Sequence, residues 1–515
     1  MNPSALSGIV PRNGVNCVSC VGFHVKDMWH VQRSSLHCLD QRARNGNNTI
    51  VNSHRVRQIG HHSTPGQRIR CSAVSVGAVE EWCQKVGSPG IFMCSEGSDE
   101  DVGNVESDRR VYRAKQDVDK GAAIISIPGD VAVTITDVEQ DEELKAITEG
   151  RSELVCLAIF VAKHKSMGDV SPWNILMQSL PEFVDLPVFW SEDERARLLR
   201  GSAVAEESRS RNNELQKEWE SLEGTCPSWL TKDGFFNAMS VVLSHAVFLP
   251  SVGCFALLPI LGDIQKTGSG SGASIDYDVN SNMVTVTSSI SLSAGDVIEV
   301  FDGRPNGEIF MATGYVEKAN PADYLVLNAS LVVADRLYTM KEEVANAMGF
   351  SKSVDFPIYQ DRLAIQHLAY LRMSRITDAA QMAKVNFEED VIISQENEYE
   401  ILQLVMGDLR EWLQQYEGGL EDDVKELQRT DLSRRDRMAT MLRLGEKKIL
   451  RGTMDGVRKR LAPIRGIPTK SGLEDPNSDL IEIFDAIEAI PSAPKKLWQG
   501  LQSWAKGDQD PNWKR

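Results

Sequence analysis

A chain of 515 residues with 42% hydrophobic and 25% charged residues is globular in composition and long enough for two or more domains. Its formal charge of −17 argues against broad contact with a nucleic-acid backbone, whose affinity rests on Lys and Arg, so direct nucleic-acid binding is not expected. No uncharged apolar run approaches the ~18 residues that suggest a membrane span, so the chain reads as soluble.

Residues 1–71 carry nine Lys or Arg against two acids, Asp27 and Asp40, with six of the nine histidines and no hydrophobic period. This resembles an organelle transit peptide and lacks the continuous apolar core of a secretory signal. "RIRCSA" (Arg68–Ala73) resembles a loose stromal processing site with cleavage near Cys71. A plastid address is the reading, with a mitochondrial one or a merely disordered tail as alternatives. Cys17 and Cys20 lack the second ligand pair of a zinc site. Cys83, Cys94, Cys156, Cys226 and Cys254 show no paired spacing and are read as reduced and structural.

Residues 72–108 begin with a short helix candidate, "AVEEWCQKVG", and continue into the acidic loop "SEGSDEDVGNVESD". Strand-like runs follow in "RVYRA", "AAIISIP" and "VAVTI", the first two joined by the turn "DVDKG". From Asp137 to His245 the chain turns helical, with "LVCLAIFVAKH" and "FFNAMSVVLSHAVF" at helical spacing. "KTGSGSGASIDYD" reads as a flexible loop before strand character returns in "NMVTVTSS" and "DVIEVFDG". Beyond Lys318 helices dominate: Leu402, Val405, Leu409, Trp412 and Tyr416 step by threes and fours, as do Leu450, Met454, Val457 and Leu461. Ser433 is the expected N-cap of the second of these helices, with Asp436 at the capping-box position and an end before Pro463. The remainder, 463–515, holds two amphipathic stretches, "LIEIFDAIEAI" and "KKLWQGLQSWAKG", expected to carry partner contacts rather than core.

A β unit with a helical insert, then "NGEIFMATGYV" (Asn306–Val316), then a helical domain resembles the SET-domain lysine methyltransferases of the Rubisco large-subunit type, over most of residues 79–462. "SPWNILMQSLPEFVDLPVFWSEDE" (Ser171–Glu194) is similar to the family's insert segment, and "NEYEILQLVMGDLREWL" with "LRLGEKKIL" to its substrate-binding helices. The resemblance implies an α+β class: a SET β-fold over 109–318 with a helical insert at 137–248, followed by an all-α substrate-binding-type domain over 319–462.

The reaction that the resemblance implies is transfer of a methyl group from S-adenosylmethionine to a neutral lysine amine, in which positioning and desolvation supply much of the rate. Four stretches of the family serve it, and each departs from the family's pattern here. Where a Gly-x-Gly lets the backbone lie against the cofactor, counting back from "DVDKG" gives Arg109, Arg110 and Val111. Where Ser-Arg closes the insert, the chain has Ser244 and His245. Where P-x-x-D-x-x-N-H is expected from Pro259, Gly262 stands at the Asp position and Gln265 and Lys266 at the Asn-His pair. Lys266 adds like-charge repulsion to a sulfonium, unless Asp302 or Asp263 offsets it. Thr313 stands where a tyrosine hydroxyl orients the amine, while Asn306, Glu308, Gly314 and Tyr315 keep the frame.

The expectation is a SET fold without methyltransferase chemistry, no confident catalytic residue and no cofactor; the alternative is an S-adenosylmethionine-dependent lysine methyltransferase acting on a plastid protein. "GSGSG" lacks the residues of a phosphate loop. His164, His245 and His367 have no paired ligand at helical spacing, so no metal site is expected. The basic run from Arg434 reads as salt-bridged helical surface, or as a face for nucleic acid or an acidic partner. "EEDVIISQENEYEILQL" and the stretch Arg458–Pro491 resemble the branch of the family found in plastid transcriptionally active chromosomes. That resemblance implies a stromal or nucleoid location, with the plastid RNA polymerase core and its accessory subunits as partners.

Overall fold

The computed structural model describes residues 74–85, 90–98 and 110–464. The chain divides after Gly60, and every described residue lies in the unit from His61 onward. The transit reading, the Cys17–Cys20 pair, Arg109, most of the acidic loop and the stretch beyond Ile464 therefore lie outside the described residues.

The first helix, α1 (Val76–Lys85), is followed by β1 (Ile91–Phe92), β2 (Cys94–Ser98), β3 (Arg110–Ala114) and β4 (Ala123–Pro128). The insert supplies α2 (Ile135–Gln140), α3 (Glu142–Thr148), α4 (Glu153–Met167), α5 (Asn174–Ser179), α6 (Glu192–Leu198), α7 (Ala203–Glu223) and α8 (Lys232–His245). Short strands return as β5 (Val247–Leu249), β6 (Cys254–Ala256), β7 (Gln265–Thr267), β8 (Ser274–Asp278), β9 (Met283–Thr287) and β10 (Glu299–Phe301), before α9 (Asn306–Thr313). The last part holds β11 (Leu325–Ser330), α10 (Tyr338–Ala347), β12 (Ser353–Ile358), α11 (Ile365–Ser374), α12 (Gln395–Gln415), α13 (Leu420–Leu427) and α14 (Arg434–Ile464).

Strands β1, β4, β9 and β8 form an antiparallel sheet in that order, with Ile125 opposite Val286 and Ile127 opposite Val284. These β-branched residues are fully buried, in a core shared with α1 and the loops around β5 and β6. In the insert, α4 is apolar nearly all round, with every residue from Leu154 to Ala162 buried, so it forms a central post packed on α8. Side chains such as Leu157, Ile159 and Phe160 each contribute about 1.5–3 kcal/mol by burial.

One helix joins two cores. Met438, Ala439 and Leu442 of α14 pack into the insert core, while Ile449, Leu450, Met454, Val457 and Leu461 enter the core of the last part. Its start matches the sequence reading: Ser433 Oγ accepts from Asp436 N at 3.2 Å and donates to the Asp436 carboxylate. The helix then passes through Pro463 to Ile464, two residues further than expected.

Four local expectations differ from the structure. Ser95–Ser98, read as the start of the acidic loop, belong to strand β2, which pairs with β3. "VAVTI" makes a single bridge, Val133 to Leu257, and then turns into α2, because Thr134 N and Oγ1 both donate to Asp137 Oδ2 (2.8 and 3.0 Å) and start a helix. The Gly/Ser run is built into the sheet structure: Gly268 N donates to Glu317 Oε2 at 2.8 Å, and Ala273 N to Glu299 O at 2.7 Å. The domain expected to be all-α also contains an antiparallel pair, β11 with β12, in register from Leu325–Ile358 to Ser330–Ser353. Among the described residues no helix is long and apolar enough to cross a membrane.

Candidate functional site

Asn306 opens α9 and spends its side chain on the backbone of Glu317 and the carboxylate of Asp323. Its Nδ2 donates to Glu317 O and Asp323 Oδ2, both at 3.0 Å, and its Oδ1 accepts from Glu317 N at 3.0 Å. Its own amide donates to Asp323 Oδ1 at 2.9 Å. The helix ends at Gly314, whose φ of 65° is left-handed and whose amide returns to Phe310 O at 2.8 Å. A Cβ there would lie 2.5 Å from Asp185 O, so both conformation and space demand glycine. Thr313 is buried; its Oγ1 donates to Ile309 O at 2.8 Å and accepts from Tyr315 N at 3.2 Å.

The loop from Pro259 to Thr267 lies against the end of α8. Ile260 takes a φ of 61°, a conformation that β-branched residues rarely adopt. A Cβ on Gly262 would meet His245 Cβ at 2.7 Å and His245 O at 2.8 Å, so the backbone as it runs admits no aspartate at this position. The neighbouring Asp263 instead accepts the buried His245 Nε2 at 3.0 Å. Ser244 precedes this histidine on α8, half-buried. In the parallel β7–β10 pair Gln265 stands opposite Glu299, and its Nε2 donates to Glu299 Oε1 at 3.0 Å. Lys266 stands opposite Val300. Burial opposes ionisation of Asp302, but the Arg304 guanidinium and, more weakly, Lys266 hold its carboxyl below the usual range. At the start of β3, Arg110 pairs with Ser98, and Val111 is buried at the edge of a cleft.

That cleft, of about 1280 Å³, brings Val111, Gln265, Asn306 and Tyr315 to one wall. Ser244, His245, Lys266 and Thr313 do not line it. Sequence reading missed its carboxylates. Burial, with Glu317 adding repulsion, raises the Glu299 carboxyl above its ordinary value. Burial also raises Asp323, against the hydrogen bonds from Asn306. Glu317 accepts Thr267 Oγ1 at 3.0 Å beside its bond to Gly268. The opposite wall is α14, about 130 residues on, with Met438, Met441 and Leu444 flanked by Arg434 and Lys448. Among the described residues no group of three His, Cys, Asp or Glu side chains is placed to hold a metal ion.

Two polar clusters fasten α14 to the insert. Arg435 donates to both Asp185 oxygens at 2.8 Å and to Glu194 Oε1 at 2.6 Å, with its guanidinium 5.4 Å from the Trp190 ring centre. Deeper in, Glu446 accepts Ser202 Oγ at 2.7 Å and Tyr416 Oη at 3.0 Å. Burial pushes the Glu446 carboxyl up to about 7, despite those two bonds. No local motif signals either cluster; the partners are separated by 30 to 250 residues.

Residues 333–450 match the family model "Rubisco LSMT substrate-binding". The chain is 24% identical over 375 residues to a chloroplastic ribulose-1,5 bisphosphate carboxylase/oxygenase large subunit N-methyltransferase of Nicotiana tabacum, covering 67% of this chain and 75% of that protein. It is 22% identical over 361 residues to a chloroplastic [fructose-bisphosphate aldolase]-lysine N-methyltransferase of Arabidopsis thaliana, covering 65% and 74%. Among solved structures, the SET domain of LSMT bound to lysine and AdoHcy superposes with a TM-score of 0.62 at 19% identity, covering 83% of this chain and 98% of that one. The observed architecture is thus the SET fold of that type, with its substrate-binding domain.

Proposed function

We propose that this chain, a Rubisco large-subunit methyltransferase-type SET protein in fold and substrate-binding domain, is a structural subunit of plastid transcription that binds the plastid-encoded RNA polymerase and its accessory subunits. The observation that carries the non-catalytic part is Thr313. Its hydroxyl is held by the end of its own helix, and a threonine side chain stops several ångströms short of a phenol's reach. The residues at the cofactor positions do not fit S-adenosylmethionine: Val111 puts a side chain where bare backbone is needed, Gln265 is tied to Glu299, and His245 is tied to Asp263. Chloroplastic relatives support a plastid location, and the basic, acid-poor leading segment agrees with it. The polymerase assignment rests on the resemblance of the stretches around Glu388 and beyond Arg458.

Affinity isolation of the tagged chain from plastids tests the reading. Stoichiometric recovery of polymerase core subunits is expected; a chain recovered without them, or one found in the cytosol, overturns it. The second reading, a plastid protein-lysine methyltransferase that uses S-adenosylmethionine, is favoured by the relatives' activities and by the retained Asn306–Tyr315 frame. Lysine labelling of plastid extract from tritiated methyl donor, abolished by changing Gln265 and Lys266 together, would establish it.

A further inference from the structure

Partway along α14 the helix leaves one core for another. Leu442 still packs into the insert core, and Ile449 enters the core of the last part. Between them stand Gly445 and the buried Glu446. Three separate segments meet the helix at this point. Ser202, at the start of α7, donates Oγ to Glu446 Oε1 at 2.7 Å, and Tyr416, at the end of α12, donates Oη to Oε2 at 3.0 Å. Asp323 lies against Gly445, its Oδ2 3.5 Å from where a Cβ on that glycine would stand. Asp323 in turn accepts Asn306 N and Nδ2, so the junction touches the wall of the cleft.

The charged groups around Glu446 are committed elsewhere. Arg443, one turn earlier, is held by Asp423 and Glu426 of α13 and by Leu198 O, and offsets the Glu446 charge only weakly. Lys447 donates to Asp423 Oδ2 at 2.7 Å and to Gly418 O at 3.1 Å, and Arg200 pairs with Glu417 at 3.5 Å. Asp323 repels it. An ionised Glu446 is thus a buried anion held by two hydroxyls, with no ion pair among the described residues, whereas the neutral acid fits the same pocket without a charge to desolvate.

We propose that Glu446 is a proton-operated latch of this junction: with its carboxyl neutral α14 stays closed on the insert, and loss of the proton loosens the middle of the helix and widens the cleft that it walls. The Arg435 guanidinium keeps its charge throughout and holds the start of the helix to Asp185 and Glu194, so the loosening pivots about that end. Burial holds the Glu446 carboxyl at about 7 in the closed junction, against 4.5 in water, so opening becomes about tenfold easier as pH rises from 6 to 8 and levels off above that. The latch acts under either reading of the chain's function.

Hydrogen exchange of the full chain, corrected for the chemical rate at each pH, tests this. The α14 amides from Met441 to Ile449 are expected to exchange ahead of those of β4 and β9, through an opening insensitive to low denaturant, and to lose about tenfold in protection from pH 6 to pH 8. Glu446→Gln keeps an uncharged partner for both hydroxyls and should remove the pH dependence. Ser202→Ala removes a bond that favours the charged form and should move the loss to higher pH. The proposal is overturned if α14 protection is independent of pH in the unmodified chain, if it falls only through the global unfolding that also exposes β4 and β9, or if the fall persists in Glu446→Gln.

Discussion

The helix Asn306–Thr313 with its glycine stop and the loop Pro259–Lys266 belong to the same SET unit, yet they differ in what their residues are for. In the first, two retained residues have structural work: Asn306 fastens a returning chain through four hydrogen bonds, and Gly314 takes a left-handed turn against Asp185. In the second, the departures from the family's pattern fit one another: Gly262 leaves room for His245, and His245 finds Asp263. The comparison teaches that a sequence frame can persist because it folds a segment, while neighbouring departures can be packed against one another in the fold.

Substitutions should therefore be unequal between the two. Gly314→Ala forces a Cβ to 2.5 Å from Asp185 O at positive φ, and should cost about 3 kcal/mol or more, read as loss of soluble protein or a large drop in denaturation midpoint. If it is tolerated, the frame is not structural. Next in size is the fastening of α14. With Glu446 at about 7 in the fold and 4.5 when unfolded, the native state binds the extra proton. Its contribution is full below about pH 4.5 and is lost as pH rises through about 7, amounting to on the order of 3 kcal/mol. Glu446→Gln should raise thermal stability at pH 8, flatten its dependence between pH 5 and 8, and leave stability near pH 4.5 little changed. An unaltered pH profile would remove this carboxyl from the account.

Smaller effects fall at the altered positions. Thr313→Val removes a buried hydroxyl that both donates and accepts, and should cost about 1–2 kcal/mol in denaturant unfolding. On the proposed non-catalytic reading, Thr313→Tyr should gain no methyl transfer. Lys266→Asn should stay within about 1 kcal/mol, as expected of a partly exposed charge near Asp302. A larger loss would show that Lys266 serves the fold as Asn306 does.

Much of this was legible where the signal is local. The α4 stripe, the Ser433–Asp436 start of α14, strand β9 and the Asn306–Gly314 helix all follow from side chains within a few residues of one another. The illegible parts depend on distant partners. Gly268–Ala273 reads as a loose linker until Glu317 and Glu299 are found to accept its amides. The strands β11 and β12 pair across a helix. Arg435 looks like one more surface cation in a basic run, although it joins Asp185 and Glu194 about 250 residues earlier. The cleft needed both problems solved, since one wall is built around residues 265–323 and the other by α14.

Calorimetric titration of the full chain with S-adenosylmethionine tests the central claim most directly, because it asks the cofactor positions alone and needs no substrate. The account predicts no saturable heat up to about millimolar ligand, a binding free energy weaker than about −4 kcal/mol. A one-to-one isotherm in the micromolar range, diminished when Gln265 and Lys266 are changed, would contradict it and return the chain to the methyltransferases.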